Sequence, residues 1–99
     1  MKSIKVIVKP VGKIAHVEWV DNTLEAFQRI VGGYIETVTV CTDLLIVCNE
    51  EGRLLGLPHN CKAFGADFVG DIAFVGHKGS NFADIPVELE QIKQVIKED

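Results

Sequence analysis

The chain has 99 residues, enough for one domain over 1–99 and too few for two, and its 47% hydrophobic content can furnish a core. Ten basic against fourteen acidic residues leave a net charge of −4, so no basic stripe marks a nucleic-acid partner, and the acidic residues, loosely gathered only at Glu88, Glu90, Glu98 and Asp99, are too scattered to mimic DNA. Three cysteines without a CxxC pair do not form a secreted disulfide framework, and no apolar run approaches the roughly 20 residues that a membrane-spanning helix requires.

Met1-Lys2-Ser3-Ile4-Lys5 leads into an alternating pattern instead of an apolar signal region, which predicts a cytoplasmic protein with reduced thiols and no membrane contact. Ile4, Val6 and Val8 alternate with Lys5, Ile7 and Lys9, the pattern of a half-buried strand. After the turn Pro10-Val11-Gly12, Ala15, Val17 and Trp19 alternate with His16, Glu18 and Val20, so a hairpin is expected. The period changes at Asp21-Asn22-Thr23. Asn22 or Thr23 can cap a helix, with Glu25 placed for a capping box on Asn22. Leu24, Phe27, Ile30 and Val31 recur at helical spacing as its buried stripe, and Gly32-Gly33 ends it. Tyr34–Val40 reads as a strand, Thr42-Asp43 as a turn, and the continuous apolar run Leu44–Cys48 as a strand covered on both faces. Asn49-Glu50-Glu51-Gly52 reads as a hairpin turn into a returning strand Arg53–Leu57 that Pro58-His59-Asn60 ends; Cys61–Phe68, rich in small residues, reads as loop. Gly70–Gly76 holds a last buried strand, His77–Asn81 a loop, and a terminal helix starts near Pro86 with Val87, Leu89, Ile92, Val95 and Ile96 on one side. The fold class is α+β: a mixed, mainly antiparallel sheet of about five to six strands packed with two helices, at about 23–32 and 86–97.

Three blocks carry a family resemblance: Leu24-Glu25-Ala26-Phe27-Gln28-Arg29-Ile30-Val31-Gly32-Gly33-Tyr34-Ile35-Glu36, then Cys48-Asn49-Glu50-Glu51-Gly52-Arg53-Leu54-Leu55-Gly56-Leu57-Pro58-His59-Asn60, then Val69-Gly70-Asp71-Ile72-Ala73-Phe74-Val75-Gly76. In this order they resemble the domain-of-unknown-function family numbered 3846, over nearly the whole chain. That resemblance implies a short protein of bacteria, phages or mobile elements and a cytoplasmic setting. It carries no activity and therefore no catalytic residues. The segment Cys61–Phe68 departs from the family pattern in being longer and less polar.

Four constellations invite a chemical reading. Cys41, Cys48, His59 and Cys61 are ligand types that zinc accepts, but they are not spaced as close pairs on tight turns, and buried apolar cysteines are the simpler account; no metal or other cofactor is expected. His59 and Cys61 lie two apart and share a face if the segment is extended, as a thiol–imidazole pair requires, yet no oxyanion-hole signature accompanies them. Gly32-Gly33 follows a helix, the wrong order for a phosphate loop, and Gly76-His77-Lys78-Gly79-Ser80 lacks Walker spacing. Tyr34, Glu36, Asn49, Leu57, Pro58, His59 and Asn60 form the most suggestive set, placed near one sheet end around the helix C-terminus. They read either as turn-stabilising residues or as a ligand or partner surface.

The function expected is therefore a non-catalytic accessory or interaction protein of a phage or mobile element, engaging a host or phage protein. The alternative is a small-molecule module that sequesters a nucleotide-like signal, and a small enzyme ranks third. A symmetric homodimer is expected from the apolar surplus, with Ile7 and Val20 facing outward and Val11 and Ile14 flanking the hairpin turn. The competing arrangement has Leu89, Ile92 and Ile96 cover that face within one chain.

Overall fold

A computed structural model describes residues 2–98, so Met1 and Asp99, the last member of the acidic C-terminal group, lie outside the described residues. In chain order the elements are β1 (Ser3–Lys9), β2 (His16–Asp21), α1 (Leu24–Val31), β3 (Ile35–Cys41), β4 (Leu44–Asn49), β5 (His59–Ala63), β6 (Ala66–Val69), β7 (Ile72–Lys78), β8 (Asn81–Ala83), α2 (Leu89–Val95) and β9 (Ile96–Lys97). The fold is α+β. Six strands form the main sheet in the order β2-β1-β7-β4-β3, with β8 on β7, and β6-β5-β9 form a second, smaller sheet. Every described pairing is antiparallel. β1 pairs the first half of β7, through Ile7–Phe74, Val8–Ala73 and Lys9–Ile72, whereas β8 pairs the second half.

Period-two alternation feeds a core on each face of the main sheet. Ile4, Val6, Val8, Leu45, Val47, Ala73 and Val75 pack with Phe27 and Val31 of α1. On the other face Ile7, Leu44, Ile46, Cys48, Ile72 and Phe74 meet Cys61, Ala63 and Phe68 of the second sheet, with Ile85 and Ile92. β4 is buried at all six positions, as a continuous apolar run covered on both sides should be. β1 is not half-buried: Ile7 is 0% exposed, lying under the second layer, and Val20 packs against the α1-side core. Of the residues that motivated a dimer, Ile7 and Val20 are thus packed within the chain, whereas Ile14 beside the hairpin turn stays 74% exposed. Lys9 follows Ile7 onto the same face and is 1% exposed; its Nζ donates to the Pro10 carbonyl at 2.8 Å and pairs with Glu98 at 3.2 Å.

Thr23 caps α1, its Oγ1 accepting from the Ala26 N–H at 3.2 Å. The residue three beyond this cap is Ala26, so the capping box expected on Asn22 does not form. Ala26, Phe27 and Val31 are buried, Ile30 is half-buried, and Leu24, expected in the stripe, is 55% exposed at the first helical position. Gly32 adopts the left-handed conformation (φ 77°) that ends the helix.

Three further expectations are corrected. Residues 53–57 do not return as a strand: Leu55 N–H bonds the Glu51 carbonyl, Gly56 N–H that of Arg53 and Leu57 N–H that of Gly52, which coils the segment into consecutive turns. Cys61–Phe68 is not loop but most of the β5–β6 hairpin, turning at Phe64-Gly65, both with positive φ. Within it, buried Cys61 and Ala63 flank exposed Lys62 with period two. The terminal helix is shorter than 86–97. It starts after Glu88, whose N–H donates to Gln91 Oε1 at 2.8 Å, and ends where Ile96 turns extended (φ −90°, ψ 131°) to pair with Ala63. The β-branched pair Val95-Ile96 fits that switch to strand.

Candidate interaction site

A cleft of about 380 Å³ opens between the β3–β4 end of the main sheet, the turns after β4, and β6. Val38, Cys48, Leu54, Ala66, Phe68 and Val69 supply its apolar lining. Glu36, Glu50, Glu51 and Asp67 contribute four carboxylates against the single guanidinium of Arg53, so its field favours a cationic occupant.

Asn49 organises the rim. Its Nδ2 donates to the Val31 carbonyl at the end of α1 at 3.1 Å, and its Oδ1 accepts from the Glu51 N–H at 2.8 Å. One side chain thereby ties the helix C-terminus to the first turn after β4. Gly52 continues that turn against Val69, where a Cβ would come within 2.8 Å of the valine Cγ2. Arg53 reaches across and donates from Nη2 to the Asp67 carbonyl at 3.1 Å. The next two residues are left in solvent: Leu54 is 88% exposed and Leu55 60%.

Cys48 lies inside the cleft as a neutral thiol. Burial, and then the Glu36 carboxylate, pushes it up to about 11, with Arg53 opposing. No histidine lines this cleft among the described residues. The polar lining offers an occupant hydrogen bonds and ion pairs.

The structure divides the residues singled out from sequence. Glu36 and Asn49 line the cleft. Leu57 and Pro58 line a separate groove of about 300 Å³ with Arg29, Gly32 and Gly70. Tyr34 is exposed at the turn into β3, its carbonyl accepting from the Glu50 N–H. His59 is exposed, 3.5 Å from Asp67 Oδ1. Asn60 is buried, and its Nδ2 donates to the carbonyls of Lys9 and Gly70, both at 2.7 Å, which joins the two sheets. Arg53, Leu54, Asp67 and Phe68 were not singled out.

The β5–β6 register shifts between His59 and Cys61, a bulge at Asn60. It breaks the alternation that would have set His59 and Cys61 on one face: Cys61 is fully buried, and burial raises its thiol as well. Cys41 is exposed, its Sγ 3.6 Å from Asp43 Oδ1. Cys41, Cys48, His59 and Cys61 do not assemble, and no group of three or more metal-ligating side chains forms among the described residues. No described helix is long and apolar enough to cross a membrane.

Compared with known proteins, residues 4–98 match the model of the family described as a domain of unknown function (DUF3846). No curated protein and no solved structure matches the chain.

Proposed function

The chain belongs to the DUF3846 family, whose description names no activity, and on its geometry we propose a non-catalytic interaction protein that docks a protein partner over the cleft and the leucine turn beside it. The observation that carries this reading is the pair Leu54–Leu55. Scattered exposed leucines are ordinary on a protein surface. Here two stand side by side on a turn fixed by Asn49, Arg53 and three backbone hydrogen bonds, at the lip of a charged concavity. An apolar anchor next to a polar rim is how protein interfaces concentrate their binding energy. A phage or mobile-element setting, implied by the sequence resemblance, makes a host or phage protein the natural partner.

The test is affinity capture with the wild-type chain and a Leu54→Asp, Leu55→Asp variant, checked by circular dichroism for an intact fold. The expected result is a protein retained stoichiometrically by the wild type and lost by the variant. Identical captures by the two forms overturn the assignment of this surface. The second reading, a small-molecule module in a cytoplasmic setting, has one observation in its favour: the cleft volume falls in the range of about 300–1,000 Å³ typical of ligand pockets. Mass spectrometry of gently denatured protein decides for it if a stoichiometric metabolite or nucleotide is released.

A further inference from the structure

We infer that β3 is the docking edge: an extended segment of the partner, alternating basic and apolar residues, adds as a further strand beside β3 with its basic side chains over the cleft. This rests on the protein-interaction reading above and specifies the partner's chemistry.

β3 ends the main sheet and, among the described residues, pairs only β4. The Glu50 N–H bonds the Tyr34 carbonyl in the same ladder that pairs Ile35 with Asn49 and Glu36 with Cys48. Antiparallel pairing alternates, so Glu36 and Val38 direct their N–H and C=O groups at β4, and Ile35, Thr37 and Thr39 direct theirs at the open side. A register shift between Thr39 and Cys41 ends the regular stretch there, leaving three residues in a row of alternate positions able to receive a strand. Open edges are commonly blunted by lysine or proline; β3, IETVTVC, has neither. On the opposite edge, His16 and Glu18 of β2 hold each other at 2.6 Å.

The cleft decides which strand fits. Glu36 and Val38 lie on the cleft face of β3. A strand added about 4.8 Å further out stands its own same-face side chains beside them, on the side of the carboxylates of Glu50, Glu51 and Asp67. Lysine or arginine matches that field. The other face of β3 presents Ile35, Thr37 and Thr39, uncharged, and suits apolar or β-branched residues. A second copy of this chain is a poor occupant, because it brings a net charge of −4 and its own Glu36 to the same edge.

The probe is an eight-residue peptide alternating valine and lysine, titrated by fluorescence anisotropy and followed by amide chemical shifts. Its controls are the valine–glutamate counterpart and two forms of the lysine peptide N-methylated on one or the other alternate set. The inference expects the lysine peptide to bind with shifts centred on Ile35, Thr37 and Thr39. It expects the glutamate peptide and the Glu36→Lys protein each to bind at least about tenfold more weakly. One N-methylated form should lose binding and the other keep it, since only one set faces β3. Equal binding of the two charge types, indifference to N-methylation, or a doubled mass that excludes the peptide overturns it. If no peptide binds while the Leu54→Asp, Leu55→Asp variant still sheds its captured partner, the β3 edge is wrong and the interaction reading stands.

Discussion

Cys48 sits beside Glu36 with its thiol raised from 9.0 to about 11, burial being the larger cause and the carboxylate the second. The unfolded chain ionises this thiol near 9 while the folded chain holds it neutral. Below pH 9 both states are protonated and the stability is fully present. As pH climbs from 9 through 11, the unfolded state alone loses a proton, and the fold weakens by up to about 3 kcal/mol. Denaturant unfolding at pH 8 and pH 10 should show a steeper loss for the wild type than for Cys48→Ala; equal slopes would mean that the thiol ionises freely inside the fold. Asn49 offers a second measurement at this scale. Asn49→Ala strips the Val31 carbonyl and the Glu51 N–H of their partner, and should cost about 1–3 kcal/mol, read as a lowered denaturation midpoint. Glu36 and Asn49 were legible in the sequence because they sit in polar positions at strand ends next to apolar runs. Asp67 and Phe68 were not. Their segment is rich in small residues and alternates over too short a run to announce two strands, and the bulge at Asn60 that orients it has no sequence signature of its own.

At the scale of elements, α1 separates what a pattern shows from what packing adds. Phe27 is 1% exposed and meets Phe82 edge-on at 4.9 Å between ring centroids. Phe27→Ala should cost about 3–5 kcal/mol. Leu24, in the same sequence stripe, overhangs the first turn in solvent, so Leu24→Ala should change stability by no more than about 0.5 kcal/mol. Thermal unfolding of the two variants checks both, and a large loss at Leu24 would place α1 one turn differently on the sheet. The two glycines that follow also part company. Gly32→Ala should cost about 1 kcal/mol through left-handed strain alone, since its Cβ would meet nothing within 4 Å. Gly33 has no positive φ, but a Cβ there would come within 2.9 Å of Asn49 Nδ2. Helix periods, caps and the two-sided run of β4 are local signals, and the sequence displays them. The second sheet is not local. β5 is fixed by contacts with β6, β9 and the main-sheet face, and β9 exists only because Ile96 leaves its helix to pair with Ala63. Ile7 is covered as the competing arrangement expected, by Leu89, Ile92 and Ile96, but the share contributed by Cys61, Ala63 and Phe68 of the second sheet lay too far along the chain to be read.

Across the whole molecule, the two cores share strands instead of dividing them. β4 sends Leu44, Ile46 and Cys48 to one face and Leu45 and Val47 to the other; β7 does the same with Ile72 and Phe74 against Ala73 and Val75. Because the central strands are covered on both faces within one chain, Ile7 included, sedimentation equilibrium should give the monomer mass of 10.9 kDa at micromolar concentration; a mass twice that would return the homodimer expectation through some other surface, such as the exposed Ile14 and Trp19. Shared strands also fix how the protein must unfold. Removing α1 would bare one side of β4 and β7 and loosen the strands on which the second sheet rests. Removing the second sheet would do the same to the surface that holds α1. Asn60 adds a direct tie, bonding the backbone of β1 and of the turn before β7 from within β5. Neither core can therefore open far without the other, and unfolding should be a single transition. Differential scanning calorimetry should give a calorimetric to van't Hoff enthalpy ratio near one. Phe27→Ala on the α1 side and Phe74→Ala on the other should each lower that one transition without splitting it. A ratio well above one, or a variant that melts in two steps, would show that the second sheet folds as a unit of its own and that the cleft beside Phe68 can come apart while the main sheet stays intact.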